Sequence, residues 1–458
     1  MVMRPMIMAL AAILALTGCV AARPSTPGSK TPAVTAETPA PVHYQGPGQP
    51  WLELTEAWQT DAQPLINIGR AELVADSLVI TGWGSGPAEQ DSVVLDAGRG
   101  SVRWQASQLP REFALGPKAR SKARLSNLAG WAVERGDDGM LILPYHLGPC
   151  RDGGFECPTT ELKPYREHGL VGFSLADRRQ VWHTAPVRSA KPRADRPQTS
   201  GFQTYEVVGA TSSAVLATLG AAGNYFTDLE WDAAERQPKT IAYDPTTGRE
   251  LWRRKGFVAE EILVDDVALG LERSLRPGAT GGVPARIDAV AGTRLWSMPA
   301  ETSVNWSSVS RHGAIVTETA SAAAGQFLVR AHGEAQPLPT VSSDGPGWIM
   351  PGRRGPLAWR VVPRSSPGGS SEGPLLHAIG QDGRLTLGAT TLPHDAVSAT
   401  LGWSGYVWVR LASGRVQAFD RTGRPRSPEF SGDIRLVDSD RLLVTRPDSS
   451  RLRLLELD

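Results

Sequence analysis

Runs of Val, Leu and Ile, each roughly four to eight residues long, recur along this chain between Gly, Asp, Pro and Ser. Ser77-Leu78-Val79-Ile80-Thr81, Val93-Val94-Leu95-Asp96, Met140-Leu141-Ile142-Leu143 and Ala214-Val215-Leu216-Ala217 are strong examples. Val267-Ala268-Leu269, Ala314-Ile315-Val316 and Leu442-Leu443-Val444 are weaker ones. Apolar runs of this length between turn-forming residues predict β-strands joined by tight connections. Beyond the N-terminal segment no stretch keeps a 3.6-residue apolar period for several turns, which argues against a helical solenoid.

A second pattern overlies the first. In Ala242-Tyr243-Asp244-Pro245-Thr246-Thr247-Gly248-Arg249-Glu250-Leu251-Trp252, an Asp stands eight residues before the Trp and a Gly four before it. The same spacing returns at Asp96, Gly100 and Trp104, and at Asp288, Gly292 and Trp296. A weaker copy ends at Trp182, with Ser174 and Arg178 at the Asp and Gly places. Self-similarity at this scale marks a repeat architecture. Asp and Thr side chains can bond back to nearby amides, and Gly supplies a positive φ at the turn. The Trp offers a large face to wedge between neighbouring sheets, with an N–H that needs an acceptor.

Four units carry the motif, and four fainter ones follow to the C-terminus. The last has no fourth strand, whereas the segment from Trp51 to Trp58 precedes the first unit as a spare one. A ring closes well when one terminus completes the sheet begun by the other. The expectation is an all-β, eight-bladed β-propeller of four-stranded blades, seven being the runner-up, closed by the N-terminal strand.

On these residues the motif resembles the tryptophan-docking repeat of quinoprotein-type propellers, the pyrroloquinoline-quinone-like (PQQ-like) repeat family. The resemblance spans roughly residues 51–458. It implies docking roles for Trp104, Trp182, Trp252 and Trp296. The family includes quinone-dependent dehydrogenases and non-enzymatic envelope lipoproteins, so it speaks to fold more than to function. Members that use the quinone hold it over the central channel, stacked on a Trp beside Ca²⁺ and a catalytic Asp. This chain lacks the adjacent cysteine pair of many alcohol-oxidising members and has no haem-attachment Cys-x-x-Cys-His.

The N-terminus changes the setting. Arg4 precedes an apolar run from Met6 to Leu16, too short to span a bilayer as a stable anchor. Leu16-Thr17-Gly18-Cys19 resembles the lipobox of bacterial lipoproteins, which implies cleavage before Cys19 and lipid on its thiol. Two or three acyl chains hold a protein at a membrane where one does not. Val20 gives no inner-membrane retention signal. Residues 1–18 are thus read as a signal peptide and 19–49 as the lipidated Cys with a Pro/Ala/Thr-rich disordered tether. Residues 50–458 are read as the propeller.

Of three cysteines, Cys150 and Cys157 remain. An exported protein favours a local disulfide between them. Metal binding is the rival, but it needs more ligands than two.

Glycine (48) and proline (36) make up about 18% of the chain, above the usual roughly 12% and suited to many short strands. A net charge of +1 gives no electrostatic case for nucleic acid. The eight His residues are scattered without metal-ligand spacing. No Gly-x-Ser-x-Gly elbow, phosphate-cradling loop or zinc-protease motif occurs. Asp96, Asp244, Asp288 and Asp420 recur at one place in the repeat and read as turn caps rather than calcium ligands.

Trp131, Trp306, Trp348 and Trp403 fall in the expected innermost segments of units two, five, six and seven. They read as inter-blade packing, with a stacking surface at one channel mouth as the functional alternative. The expected function is a lipid-anchored, extracytoplasmic envelope lipoprotein whose propeller is a non-catalytic protein-interaction scaffold. It would have an envelope protein partner and neither metal nor cofactor. The alternatives are a PQQ-dependent dehydrogenase using the quinone with Ca²⁺, and a carbohydrate-binding or sensor accessory.

Overall fold

A computed structural model describes residues 50–457 except 61–64, 85–89, 116–121, 137, 148–166, 189–202, 222–237, 274–281, 300–303, 311–312, 319–324, 339–347, 350–357, 363–374, 380–384, 402–405, 421, 439 and 446–450. Cys19, the tether, Cys150, Cys157 and Trp403 lie outside the described residues.

The apolar runs are strands, and they pair antiparallel. The first unit is Asn67–Val74, Ser77–Trp83, Gln90–Asp96 and Val102–Gln105, side by side in chain order. Its two middle strands are covered on both faces, and Ile80, Val93, Val94 and Leu95 are wholly buried. That explains why the sequence shows continuous apolar runs instead of alternation. Each such side chain contributes roughly 1.5–3 kcal/mol on burial. The same order recurs in Gln203–Ala210, Val215–Ala221, Lys239–Tyr243 and Glu250–Lys255. It recurs again in Ala396–Leu401, Val407–Leu411, Arg415–Phe419 and Phe430–Ser431.

The first strands of successive units touch one another in series. Asp433–Leu436 meets Asn67–Val74, which meets Trp131–Arg135 and then, in turn, Gln203–Ala210, Phe257–Leu263, Val304–Ser310 and Trp348–Ile349. The chain is therefore an all-β β-propeller with these strands innermost. Its ends meet: Leu54–Thr60 pairs antiparallel with Leu452–Leu457, from Leu54 opposite Leu457 to Thr60 opposite Leu452. With Asp433–Leu436 and Arg441–Thr445 they form one four-stranded sheet, three strands from the C-terminus and one from the N-terminus.

The expected set of eight, or seven, uniform four-stranded blades is corrected. The described strands form seven hydrogen-bonded sheets, of which one has seven strands and another eight. The seven-stranded sheet gains Glu112–Ala114, Lys122–Leu125 and Val187–Arg188, none of which carries the repeat's signature. The eight-stranded sheet arises where Gly282 pairs with Val304 and fuses two four-stranded sets.

Register shifts mark two recurrent places. In the inner strands they fall between Ile68 and Arg70, Val207 and Gly209, Ala259 and Glu261, Trp306 and Ser308, and Ala396 and Ser398. In the outer hairpins they fall beside Trp104, Trp182, Trp252 and Trp296. A bulge turns the strand and re-aims the next side chain, here the tryptophan.

Gly100 has φ 69°, and a Cβ there would lie 2.3 Å from the Trp58 ring. Gly136 has φ 60° with open space around it. Gly100→Ala therefore costs backbone strain plus a clash, and Gly136→Ala strain alone. Urea denaturation should show Gly100→Ala losing at least about 1 kcal/mol more than Gly136→Ala.

Candidate functional site

The junctions between units are built from the turn outward. Asp96 Oδ1 accepts from the amides of Gly98 at 3.1 Å and Arg99 at 3.0 Å. Asp244 Oδ1 does so from Thr246 and Thr247, and Asp288 Oδ1 from Val290 and Ala291. The Gly at the fourth place then donates its N–H to the Asp carbonyl, at 2.8 Å for Gly100 and 2.9 Å for Gly248. Asp420 caps its turn through Thr422 and Arg424 and also accepts from Arg426 Nε at 2.6 Å. Burial would raise the Asp420 carboxyl, but the Thr422 hydroxyl, Arg426 and the backbone amides outweigh it and hold the group below the usual range. At Asp96 the Arg103 guanidinium, 2.8 Å away, acts in the same direction.

The turns that begin at Ser174, Asp244 and Asp288 present the carbonyl of their second residue to an indole of the preceding unit. Trp104 Nε1 donates to Leu175 O at 2.7 Å, Trp182 Nε1 to Pro245 O at 2.8 Å, and Trp252 Nε1 to Ala289 O at 2.8 Å. The residue after the cap is held from the other side as well: the amides of Ala97, Leu175 and Ala289 donate to Asp76 O, Gly139 O and Asp266 O. Trp296 departs from the pattern, donating to Glu334 Oε2 at 2.7 Å with the Arg286 guanidinium 4.4 Å over its ring. The sequence motif missed a fifth indole: Trp58, in the closing strand, donates to Ala97 O at 2.7 Å. Pro50 and Leu54 occupy its Asp and Gly places, so only the pairing of the two chain ends could reveal it.

Trp131 opens its inner strand, Trp306 lies within Val304–Ser310, and Trp348 opens Trp348–Ile349. The described inner strand of the seventh unit is Ala396–Leu401, and Trp403 lies outside the described residues. Trp131 is half-buried, with the Arg70 guanidinium 3.7 Å over its ring and its Nε1 donating to Val207 O at 3.0 Å. Arg70 also donates to Gly130 O and lies 3.4 Å from Glu72, whose other oxygen accepts from the Ala132 amide. This cluster ties three adjacent inner strands together.

His146 and His168 face each other across paired strands, both buried. Burial, helped by His168 and Arg124, pushes the His146 imidazole down to about 4. Their pairing depends on hairpin register, which no local spacing rule exposes. Among the described residues no group of three His, Cys, Asp or Glu side chains is placed to hold a metal ion. With Arg70 over the one inner tryptophan whose side chain is described, those residues do not fit a stacked quinone with Ca²⁺.

No protein-family profile and no curated protein matches the sequence. Solved structures do resemble the chain. A quinohemoprotein alcohol dehydrogenase from Pseudomonas putida HK5 shares 11% identity, with 88% of this chain and 76% of that one covered and a TM-score of 0.43. BamB from Moraxella catarrhalis shares 15% over 88% of this chain and 100% of its own, with a TM-score of 0.32. The Dos1 propeller shares 9% over 89% and 95%, with a TM-score of 0.42. At these values the likenesses carry no argument about activity or partner.

Two outcomes follow. Trp104→Phe keeps a ring but leaves Leu175 O without its donor in the interior, costing about 1–3 kcal/mol, whereas Trp296→Phe, which loses only an exposed bond to Glu334, costs less. Denaturant titration of both variants checks the order. The His146 group, near 4 when folded against an ordinary 6.5, contributes stability present above pH 6.5 and lost as pH falls toward 4. Across that window the wild type should lose about 3 kcal/mol more than His146→Gln, read from denaturation midpoints.

Proposed function

We propose that the chain is a membrane-anchored, extracytoplasmic lipoprotein whose propeller is a non-catalytic protein-interaction scaffold. In this reading residues 1–18 are removed, Cys19 carries lipid, 19–49 form the tether, and 50–458 the ring. Cys150 and Cys157 close a local disulfide. Trp104, Trp182, Trp252 and Trp296, joined by Trp58, dock one unit on the next, and Trp131 packs the inner wall.

The observation that carries the reading is an exposed apolar patch on a closed ring. Ile66 is 70% exposed and Trp83 45%, and the Ile66 amide donates to Trp83 O at 2.8 Å. Clustered large apolar side chains on a rigid frame are what a protein partner buries. The charge of +1 supports no nucleic-acid role.

The test is cross-linking in envelope membranes with wild type, Cys19→Ala, and the double variant Ile66→Asp with Trp83→Asp. Wild type should sediment with membranes and cross-link to one defined protein. Cys19→Ala should leave the membrane fraction. The double variant should stay anchored and folded while losing the cross-linked partner by at least about tenfold. Lipid labelling of Cys19→Ala, or full partner retention by the double variant, would sink the reading.

A further inference from the structure

The end of the chain holds a cleft of about 390 Å³, where the strands Ala396–Leu401 and Val407–Leu411 face Asp433–Leu436 and the start of Asn67–Val74. That volume suits a small molecule. The lining is polar. Ser398 and Thr400 present exposed hydroxyls, and Arg410, Asp433 and Arg435 supply the charges.

Donors outnumber acceptors in it. Arg410 Nη1 is engaged by Asp433. Arg435 donates Nε to Ile68 O at 2.5 Å and Nη1 to Ile434 O at 2.8 Å, and its Nη2 lies 3.5 Å from Asn67 Oδ1. A guanidinium carries five N–H groups, so both arginines keep donors in hand. These bonds also fix both heads in place, which lowers the entropy lost on binding. Trp408, also in the lining, is 1% exposed, and its indole N–H has no acceptor among the described residues. Against these donors stands one side-chain carboxylate, already engaged, and two positive charges face one negative.

We propose that this cleft binds a small hydroxylated carboxylic acid of the uronic-acid type. The ligand carboxylate meets the Arg410 and Arg435 guanidinium groups, and charge-assisted bonds of this kind are about twice as strong as neutral ones. The ligand hydroxyls meet Ser398 and Thr400. A bare inorganic anion would satisfy the arginines but leave the hydroxyl-bearing wall unfilled. A neutral sugar would do the reverse. Ile66 lines the edge of the groove, but neither Ile66 nor Trp83 supplies a polar contact to the ligand, so the test of this site does not depend on the scaffold reading.

Titration calorimetry on the full-length protein in detergent tests the site, with D-glucuronate, D-glucose and acetate as probes. D-Glucuronate should bind saturably at one site, with D-glucose and acetate each at least about tenfold weaker. Thr400→Val and Arg410→Gln should each weaken D-glucuronate by at least about tenfold. Ser398→Val and Thr400→Val lie outside the ion pair and decide the matter if Arg410→Gln does not fold. Absence of saturable D-glucuronate binding would overturn the proposal. So would D-glucose binding as well as D-glucuronate, or acetate binding equally, which would mark an adventitious ion only. D-Glucuronate affinity unchanged in the Ser398 and Thr400 variants would overturn it as well.

Discussion

Four of the described junctions rest on one bond type: an indole N–H from the last strand of one unit, at Trp58, Trp104, Trp182 or Trp252, to a carbonyl in the turn of the next. The carbonyl is available because the turn is closed by other groups. At Asp96, Asp244 and Asp288 the side-chain carboxylate takes the amides that follow, and the Gly amide folds back onto the Asp carbonyl. The next residue is then held rigid, with its oxygen facing the neighbouring unit. Phenylalanine would fill the space but not satisfy that oxygen, and a buried carbonyl without a donor is costly. The glycine serves twice, taking a positive φ and leaving room for the ring; a Cβ at Gly248 would sit 2.5 Å from Trp182.

Much of this was legible in the sequence, for a physical reason. The cap, the positive-φ residue and the indole belong to one hairpin, so their spacing is fixed within eleven residues. What the spacing does not record is the acceptor, which lies in the following unit. Trp296 has the full motif yet docks on Glu334, and Trp58 has none of it yet docks on Ala97. Arg178 holds φ 62° where the other turns have Gly, and Trp104 still docks beside it on Leu175. Uniform sheets were expected because the repeat was read from its tryptophans. Glu112–Ala114 and Lys122–Leu125 lie between two motifs and extend a sheet without leaving any mark on the pattern.

The candidate sites were less legible, because they are made of residues far apart in sequence. Arg70 reaches Trp131, His146 meets His168, and Arg435 reaches back to Ile68 and Asn67. The last case is instructive. The strand Asn67–Val74 begins where the two ends of the chain have just been joined, so its first residues neighbour the last inner strand. Closure thus creates both the Ile66–Trp83 patch and the polar cleft beside it. A repeat fixes the frame, and its irregular seam supplies the chemistry.

The central claim is that the terminal strand and its indole close the ring as one cooperative unit. Amide hydrogen exchange by mass spectrometry on the full-length protein, comparing Leu54–Thr60 with Leu452–Leu457, tests it most directly. The account predicts matched slow exchange of the two strands in the wild type, and loss of protection in both in Trp58→Ala. A Leu54–Thr60 segment exchanging freely while Leu452–Leu457 stays protected would contradict it.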